Sequence, residues 1–326
     1  MTDQITPSTQ VHHVEVAIAG AGFGGLCMAI KLQEAGITDF VILEKGDDVG
    51  GTWRDNQYPG AACDVQSHMY SYSFATSPKW TKRYAPWNEI QQYILDVTEQ
   101  YRLRPKIRLQ QEVVSAVFNE GTGRWTVKTA GGDTYICRHW VLASGPLHVP
   151  AIPKIKGLDQ FQGKVMHSAQ WDHGYDLRDK RVASIGTGGS AIQYVPEIAP
   201  KVGQMHVFQR TPHWVLPRPD RVFSAFERGL LGSRLVYKAL RTFIYWSLES
   251  RVIGFKYSKR MLNVVAQQEA LRHIRRQIQD PALRAAVTPD YTIGCKRIIL
   301  SSTLYPALAR PVRPGPGPCH CRRGPG

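Results

Sequence analysis

Two short stretches of this 326-residue sequence have the residue types and spacing to hold a phosphate. In Gly20-Ala-Gly22-Phe-Gly24-Gly25, the first glycine permits a tight turn and Gly22 lets a pyrophosphate come close to the backbone. Gly25 lets the following helix close on the preceding strand. Gly186-Thr187-Gly188-Gly-Ser190-Ala191 repeats the construction, with alanine in the third glycine position. A charged residue stands 24 positions after the first glycine of each turn, Glu44 in one case and Arg210 in the other. A carboxylate there accepts hydrogen bonds from ribose hydroxyls, so the first turn is expected to take FAD or NAD. A guanidinium there, with the hydroxyl of Thr211 beside it, suits a 2′-phosphate, so the second is expected to take NADP.

Both turns need a strand before them and a helix after them. Residues 14–20, VEVAIAG, form a short apolar run that reads as a strand, a helical pattern follows to Gly36, and residues 40–43 supply the next strand. Around the second turn, residues 181–185 and 205–208 read as strands. Pro196 interrupts the helix between them, which is therefore expected to be short or kinked. Residues 221–291 are rich in Leu, Arg, Ala and Gln and poor in glycine, and read as several helices inserted into the second unit. The predicted fold is α/β, with two Rossmann-like dinucleotide-binding domains and a helical insert.

Composition bounds the partners. The formal charge is +15, and residues 221–290 carry thirteen Lys and Arg against five Asp and Glu. No nucleic-acid motif accompanies that excess, and a basic surface equally suits polyanionic cofactors, so the reading is a small-molecule enzyme with no nucleic-acid partner. Cysteines 27, 63, 137, 295, 319 and 321 show no repeated spacing, and no secretory signal opens the chain, so a reduced, cytoplasmic protein is expected. No apolar run is long enough to span a bilayer; the nearest, residues 235–248, is broken by Lys238 and Arg241. His167 and His173 are six apart, which suits no common metal-ligand pair, and Cys319-His-Cys321 makes a poor zinc site, so no metal is expected. Oligomeric state has no signature in the sequence.

Three further stretches resemble one family. Phe161-x-Gly163-x-x-x-His167-x-x-x-Trp171-Asp172 lies between the two glycine turns; Gly50-Gly51-Thr52-Trp53-Arg-Asp-Asn-Gln-Tyr58-Pro59-Gly60-Ala-Ala-Cys-Asp64 follows the first; Ile293-Gly294-Cys295-Lys296-Arg297, with Tyr305-Pro306-Ala307-Leu308, closes the insert. Together they resemble the Baeyer–Villiger monooxygenases, flavoproteins that use NADPH and O2 to place an oxygen atom beside a ketone carbonyl. The resemblance covers about residues 11–311. It implies an FAD-binding domain over 1–150, an NADP-binding domain over 151–220, the helical insert over 221–291 and a return to the NADP domain over 292–310. It also implies roles. Arg297 matches the family's catalytic arginine, which stabilises negative charge developing on oxygen. Asp64 matches the aspartate that orients it, Lys296 a residue that helps hold the NADP 2′-phosphate, and His167 a linker histidine that couples domain movement to cofactor contact. Gly51, Thr52 and Trp53 match the approach to the flavin.

By residue type alone, simpler readings stand beside these. Asp64 could cap a turn after Pro59-Gly60, Lys296-Arg297 could be a solvated pair, Trp53 and Tyr58 could be core aromatics, and Phe161 and Trp171 could fill an interdomain gap with Gly163 making a turn. If Lys296 and Arg297 lie on a strand they point to opposite faces. Residues 311–326 are Pro-, Gly- and Arg-rich and are expected to be a disordered tail. Family members continue with a segment that returns to the FAD domain. That segment is expected to be missing here, through a frameshift near Pro311, which puts flavin binding and activity in question. Two alternatives follow: an N- or S-oxidising flavin monooxygenase, and an inactive remnant that at most binds NADP.

Overall fold

The computed structural model describes residues 10–147, 149–257, 263–310 and 320–323. The chain divides into two compact units, one of residues Met1–Gln57 with Trp87–Ala169, the other of Tyr58–Pro86 with Gln170–Gly326. The boundary expected at residue 150 therefore falls elsewhere, and Tyr58–Pro86 joins the second unit. Hydrogen bonds explain this: the Arg83 amide donates to the Arg221 carbonyl at 2.9 Å and the Phe223 amide to the Thr81 carbonyl at 2.7 Å.

The first unit is built on β1 (Val11–Ala19), β2 (Phe40–Leu43), β3 (Ile107–Arg108), β4 (Val113–Asn119), β5 (Arg124–Thr129) and β6 (Thr134–Leu142), in the sheet order β3-β2-β1-β6-β5-β4. β1 pairs in parallel with β2 and β6, in the registers Ala19↔Leu43 and Ala19↔Leu142, while β4, β5 and β6 form an antiparallel meander. Val16–Ala19 and all four residues of β2 are buried, as expected for parallel strands covered on both faces. The sheet continues into α1 (Phe23–Glu34), and Gly36, at φ +79, ends that helix as the sequence anticipates. A four-residue helix α2 (Thr52–Asp55) and the longer α3 (Trp87–Gln100) complete the elements near the first glycine turn.

In the second unit β7 (Arg181–Ile185) and β8 (Gln204–Gln209) are parallel and flank α4 (Ala191–Ile198), which is eight residues long and contains Pro196. Helices α5 (Ala225–Leu230), α6 (Arg234–Tyr257), α7 (Gln268–Gln277) and α8 (Pro281–Val287) follow. Two short parallel strands, β9 (Val215–Leu216) and β10 (Ile299–Leu300), and a last helix α9 (Leu304–Leu308) close the unit. Its core joins Ile192, Val195 and Ile198 of α4 to Val207, Ile274, Val287, Leu304 and Tyr305. Residues 320–323 form a strand, β11 (His320–Arg323), parallel to β8, so this piece of the tail is not the disordered chain its composition led us to expect. The rest of 311–326 lies outside the described residues. Among the described residues no helix is long and apolar enough to cross a membrane.

Candidate functional site

The first glycine turn is packed tightly at Gly20 and Gly25. Gly20 lies at φ +97, where a side chain would also meet the Ala143 carbonyl oxygen at 2.6 Å. A Cβ on Gly25 would sit 1.8 Å from the Gly20 carbonyl oxygen, so only glycine allows α1 to start here. Gly22 is the N-cap of α1 with no side-chain cap, and its Cα faces Gly51, whose added Cβ would lie 3.4 Å from it. Two bare glycines thus line this stretch with backbone alone. Gly51 holds φ +53 and opens α2, which begins at Thr52 and Trp53.

Glu44, at the end of β2, is 4% exposed. Its Oε2 accepts from the Ala21 amide at 2.7 Å; its Oε1 accepts from the Gly46 amide at 2.9 Å and from Arg54 Nη1 at 2.8 Å. Burial pushes this carboxyl up, but the two amides and the guanidinium outweigh it and hold it below the usual glutamate range. A carboxylate has about four acceptor positions. Three are filled within the protein, by Ala21, Gly46 and Arg54. Arg54, quoted within its motif but given no role by sequence reasoning, runs over Gly46, where a Cβ would meet the guanidinium at 2.1 Å.

The second turn is open. Gly186 is at φ +98, and a Cβ on Gly186, Gly188 or Gly189 would meet no atom of the described residues within 4 Å. Internal packing therefore gives no reason for glycine at 188 and 189, in contrast with Gly25. Thr187 is 8% exposed, and Ser190 is the N-cap of α4. Arg210 and Thr211 follow β8 directly, and the Arg210 side chain is exposed. Lys296 is brought to this corner by Tyr291: its ammonium lies 4.8 Å from the centre of the Tyr291 ring, and the Tyr291 hydroxyl donates to the Pro212 carbonyl at 3.1 Å. Burial, with Lys296 nearby, also holds His213 below the usual histidine value.

Arg297 Nη2 donates to Asp64 Oδ2 in a charged hydrogen bond. Both residues belong to the second unit, and both remain accessible. Lys296 and Arg297 are not on a strand, as the alternation argument required; they lie in irregular chain just after the turn at Gly294, at φ +95, and β10 begins only at Ile299. The turn, not strand pleating, sends one toward Tyr291 and the other to Asp64.

His167 is not part of this pair. Its Nδ1 accepts from the Ala169 amide at 3.1 Å, and the division between the two units falls just after Ala169. Phe161 folds against Gly163 and is 59% exposed, and Trp171 packs on Tyr194 of α4 with ring centres 5.4 Å apart. Sequence reasoning missed Gln193 and Tyr194, which carry no motif of their own. Gln193 Oε1 accepts from the Tyr58 hydroxyl at 3.0 Å and the Ala62 amide at 3.2 Å, and its Nε2 donates to the Ala62 carbonyl at 3.0 Å.

Comparison with known proteins fits this geometry. A family profile described as pyridine nucleotide-disulphide oxidoreductase matches residues 17–224. A Baeyer–Villiger monooxygenase of Pseudomonas aeruginosa is 51% identical over 310 residues, covering 95% of this chain and 58% of its own length. Among solved structures, an oxidised steroid monooxygenase bound to NADP superposes with a TM-score of 0.83 at 31% identity, over 95% of this chain and 65% of that one. OTEMO in complex with FAD and NADP superposes with a TM-score of 0.82 at 26% identity, over 95% and 65%. The chain thus spans a little under three fifths of the curated relative's length. The chain belongs to the pyridine nucleotide-disulphide oxidoreductase family, and the resemblance to Baeyer–Villiger monooxygenases read from its motifs holds over 95% of its length.

Proposed function

We propose that this chain handles FAD and NADPH for a Baeyer–Villiger oxygenation, in which one atom of O2 is inserted beside a ketone carbonyl to give an ester or lactone. The observation that carries the proposal is the Arg297–Asp64 pair, assembled from residues 233 apart in sequence and left accessible. A guanidinium held by one carboxylate oxygen keeps other N–H groups to stabilise negative charge on a reacting oxygen. Flavin, when bound, supplies the redox chemistry between NADPH and O2.

The residues present fit both nucleotides. At the first turn the facing glycines 22 and 51 admit a pyrophosphate to the backbone, and Glu44 would accept from a ribose hydroxyl. Thr52 and Trp53 continue from that approach. At the second, the open faces of Gly186, Gly188 and Gly189 would take the NADP pyrophosphate beside Thr187 and Ser190. Arg210, Thr211 and Lys296 would share its 2′-phosphate. His167 would act as a linker residue and not as a general base. Free thiols at Cys27, Cys63, Cys137 and Cys295 support a reducing, cytoplasmic setting.

The test is to supply the purified chain with FAD, NADPH and a cyclic ketone and to analyse the products. Lactone supports the proposal. Oxidised sulfide or amine from matching substrates, without lactone, favours an N- or S-oxidising enzyme. NADP+ binding with neither product leaves a nucleotide-binding fragment.

A further inference from the structure

Gln193 occupies an unusual position between two parts of the second unit. It lies in the first turn of α4, three residues after Ser190, where the helix opens from the second glycine turn. Its side-chain amide holds Ala62 by both main-chain groups, accepting from the N–H and donating to the C=O, as a neighbouring strand would. The same Oε1 takes the Tyr58 hydroxyl. Gly60, at φ +77, lets the loop lie directly on the helix, since a Cβ there would be 2.8 Å from the Gln193 carbonyl oxygen. Beyond Ala62 the chain is fixed again: the Cys63 amide donates to Ala85 at 3.0 Å, and the Cys63 carbonyl accepts from Arg218 Nη2 at 3.3 Å. Asp64 follows at once, with its carboxylate on Arg297.

Tyr194 extends the same junction. Its ring meets Tyr58 edge-on with centres 6.2 Å apart, and its hydroxyl bonds Ser184 Oγ of β7 at 2.7 Å. The helix that would receive the nucleotide therefore grips the loop that positions Asp64. Only an amide side chain can donate and accept here; a carboxylate would repel the Ala62 carbonyl, and an aliphatic residue would leave both Ala62 groups without this partner.

We infer that Gln193 is a positioning residue that transmits NADP binding at the second glycine turn to the Asp64–Arg297 pair through Ala62. The inference rests on the proposed function for both the turn and the pair. Hydrogen–deuterium exchange on the whole chain, with NADP+ affinity measured by calorimetry, tests it. Without nucleotide, Gln193→Leu should speed exchange of the Ala62 amide about tenfold, the loss of one net hydrogen bond. Gln193→Glu, which keeps the acceptor and loses the donor, should fall between. Saturating NADP+ should slow exchange across residues 58–66 in the unmodified chain but not in Gln193→Leu, although the variant binds NADP+ within about threefold of it. Equal NADP+ protection of residues 58–66 in both proteins would reduce Gln193 to a structural clip and overturn the inference. Unchanged Ala62 exchange in Gln193→Leu would overturn it at the first step. If the unmodified chain fails to bind NADP+, the nucleotide reading falls and the coupling with it, while the nucleotide-free comparison still decides whether Gln193 holds the loop.

Discussion

Arg297 meets Asp64 across 233 residues of sequence, and the two side chains keep 72% and 42% of their exposure in doing so. A pair so open to water contributes little to stability, on the order of 0–1 kcal/mol. Asp64→Asn should therefore leave the thermal unfolding midpoint almost unchanged. A large drop would show that the pair is a structural clamp, and would argue against its being held ready for substrate.

Glu44 presents the opposite case, a buried carboxylate beside the first glycine turn with three donors. Glu44→Gln removes the charge from the contacts to Ala21, Gly46 and Arg54, and should cost about 1–3 kcal/mol in urea unfolding at pH 7. Because the folded carboxyl is held below its unfolded value, its contribution is present above the unfolded pKa and is lost as pH falls through the folded one. Stability of the unmodified protein should therefore fall in acid below about pH 4.3, the unfolded glutamate value. The variant should lack that component.

The two glycine turns should respond differently to the same substitution. Gly25→Ala places a methyl group 1.8 Å from the Gly20 carbonyl oxygen and should destabilise the first unit by about 3 kcal/mol. Gly188→Ala meets no atom of the described residues, so its unfolding midpoint should stay level or rise slightly, while NADP+ affinity drops at least tenfold by calorimetry, as expected if the methyl stands where a phosphate must approach. Full NADP+ affinity in Gly188→Ala would contradict the use of that open face.

Acid should also act through His68. This side chain is 2% exposed, between the rings of Phe223 and Tyr237 at 5.0 and 5.1 Å, and burial pushes its pKa down to about 4. Its unfolded value is near 6.5. The unfolded chain therefore binds the proton first, and stability declines as pH falls from about 6.5 to about 4, by on the order of 3 kcal/mol in all. His68→Phe keeps an aromatic ring in the slot and should flatten the profile across that window. An unchanged slope between pH 6.5 and 5 would assign the loss to other groups.

Arg210 gives the most direct check on nucleotide choice. Its exposed guanidinium follows β8, and losing one charge-assisted bond to a phosphate costs on the order of 1.5–3 kcal/mol. Calorimetry should show NADP+ bound in preference to NAD+ by the unmodified chain, and Arg210→Ala should erase most of the preference. Equal affinity for both nucleotides at the outset would remove the role assigned to Arg210.

The α/β character and the strand–turn–helix units were determined by local chemistry that the sequence carries openly. An apolar run, a glycine turn and an amphipathic helix are short-range signals, and β2 and β7 lie where the apolar runs placed them. The tertiary structure alone decided three other matters. It put Tyr58–Pro86 with the second unit, because the partners of that segment, Arg221, Phe223 and Gln193, lie more than 130 residues away. It gave Glu44 three internal donors, two of which, Gly46 and Arg54, have no part in the glycine spacing that singled Glu44 out. It also set the directions of Lys296 and Arg297 through a turn at Gly294 where alternation along a strand was expected. Spacing reports what neighbouring residues can do for one another; a hydrogen bond between distant segments depends on how the chain closes on itself, and no local pattern encodes it.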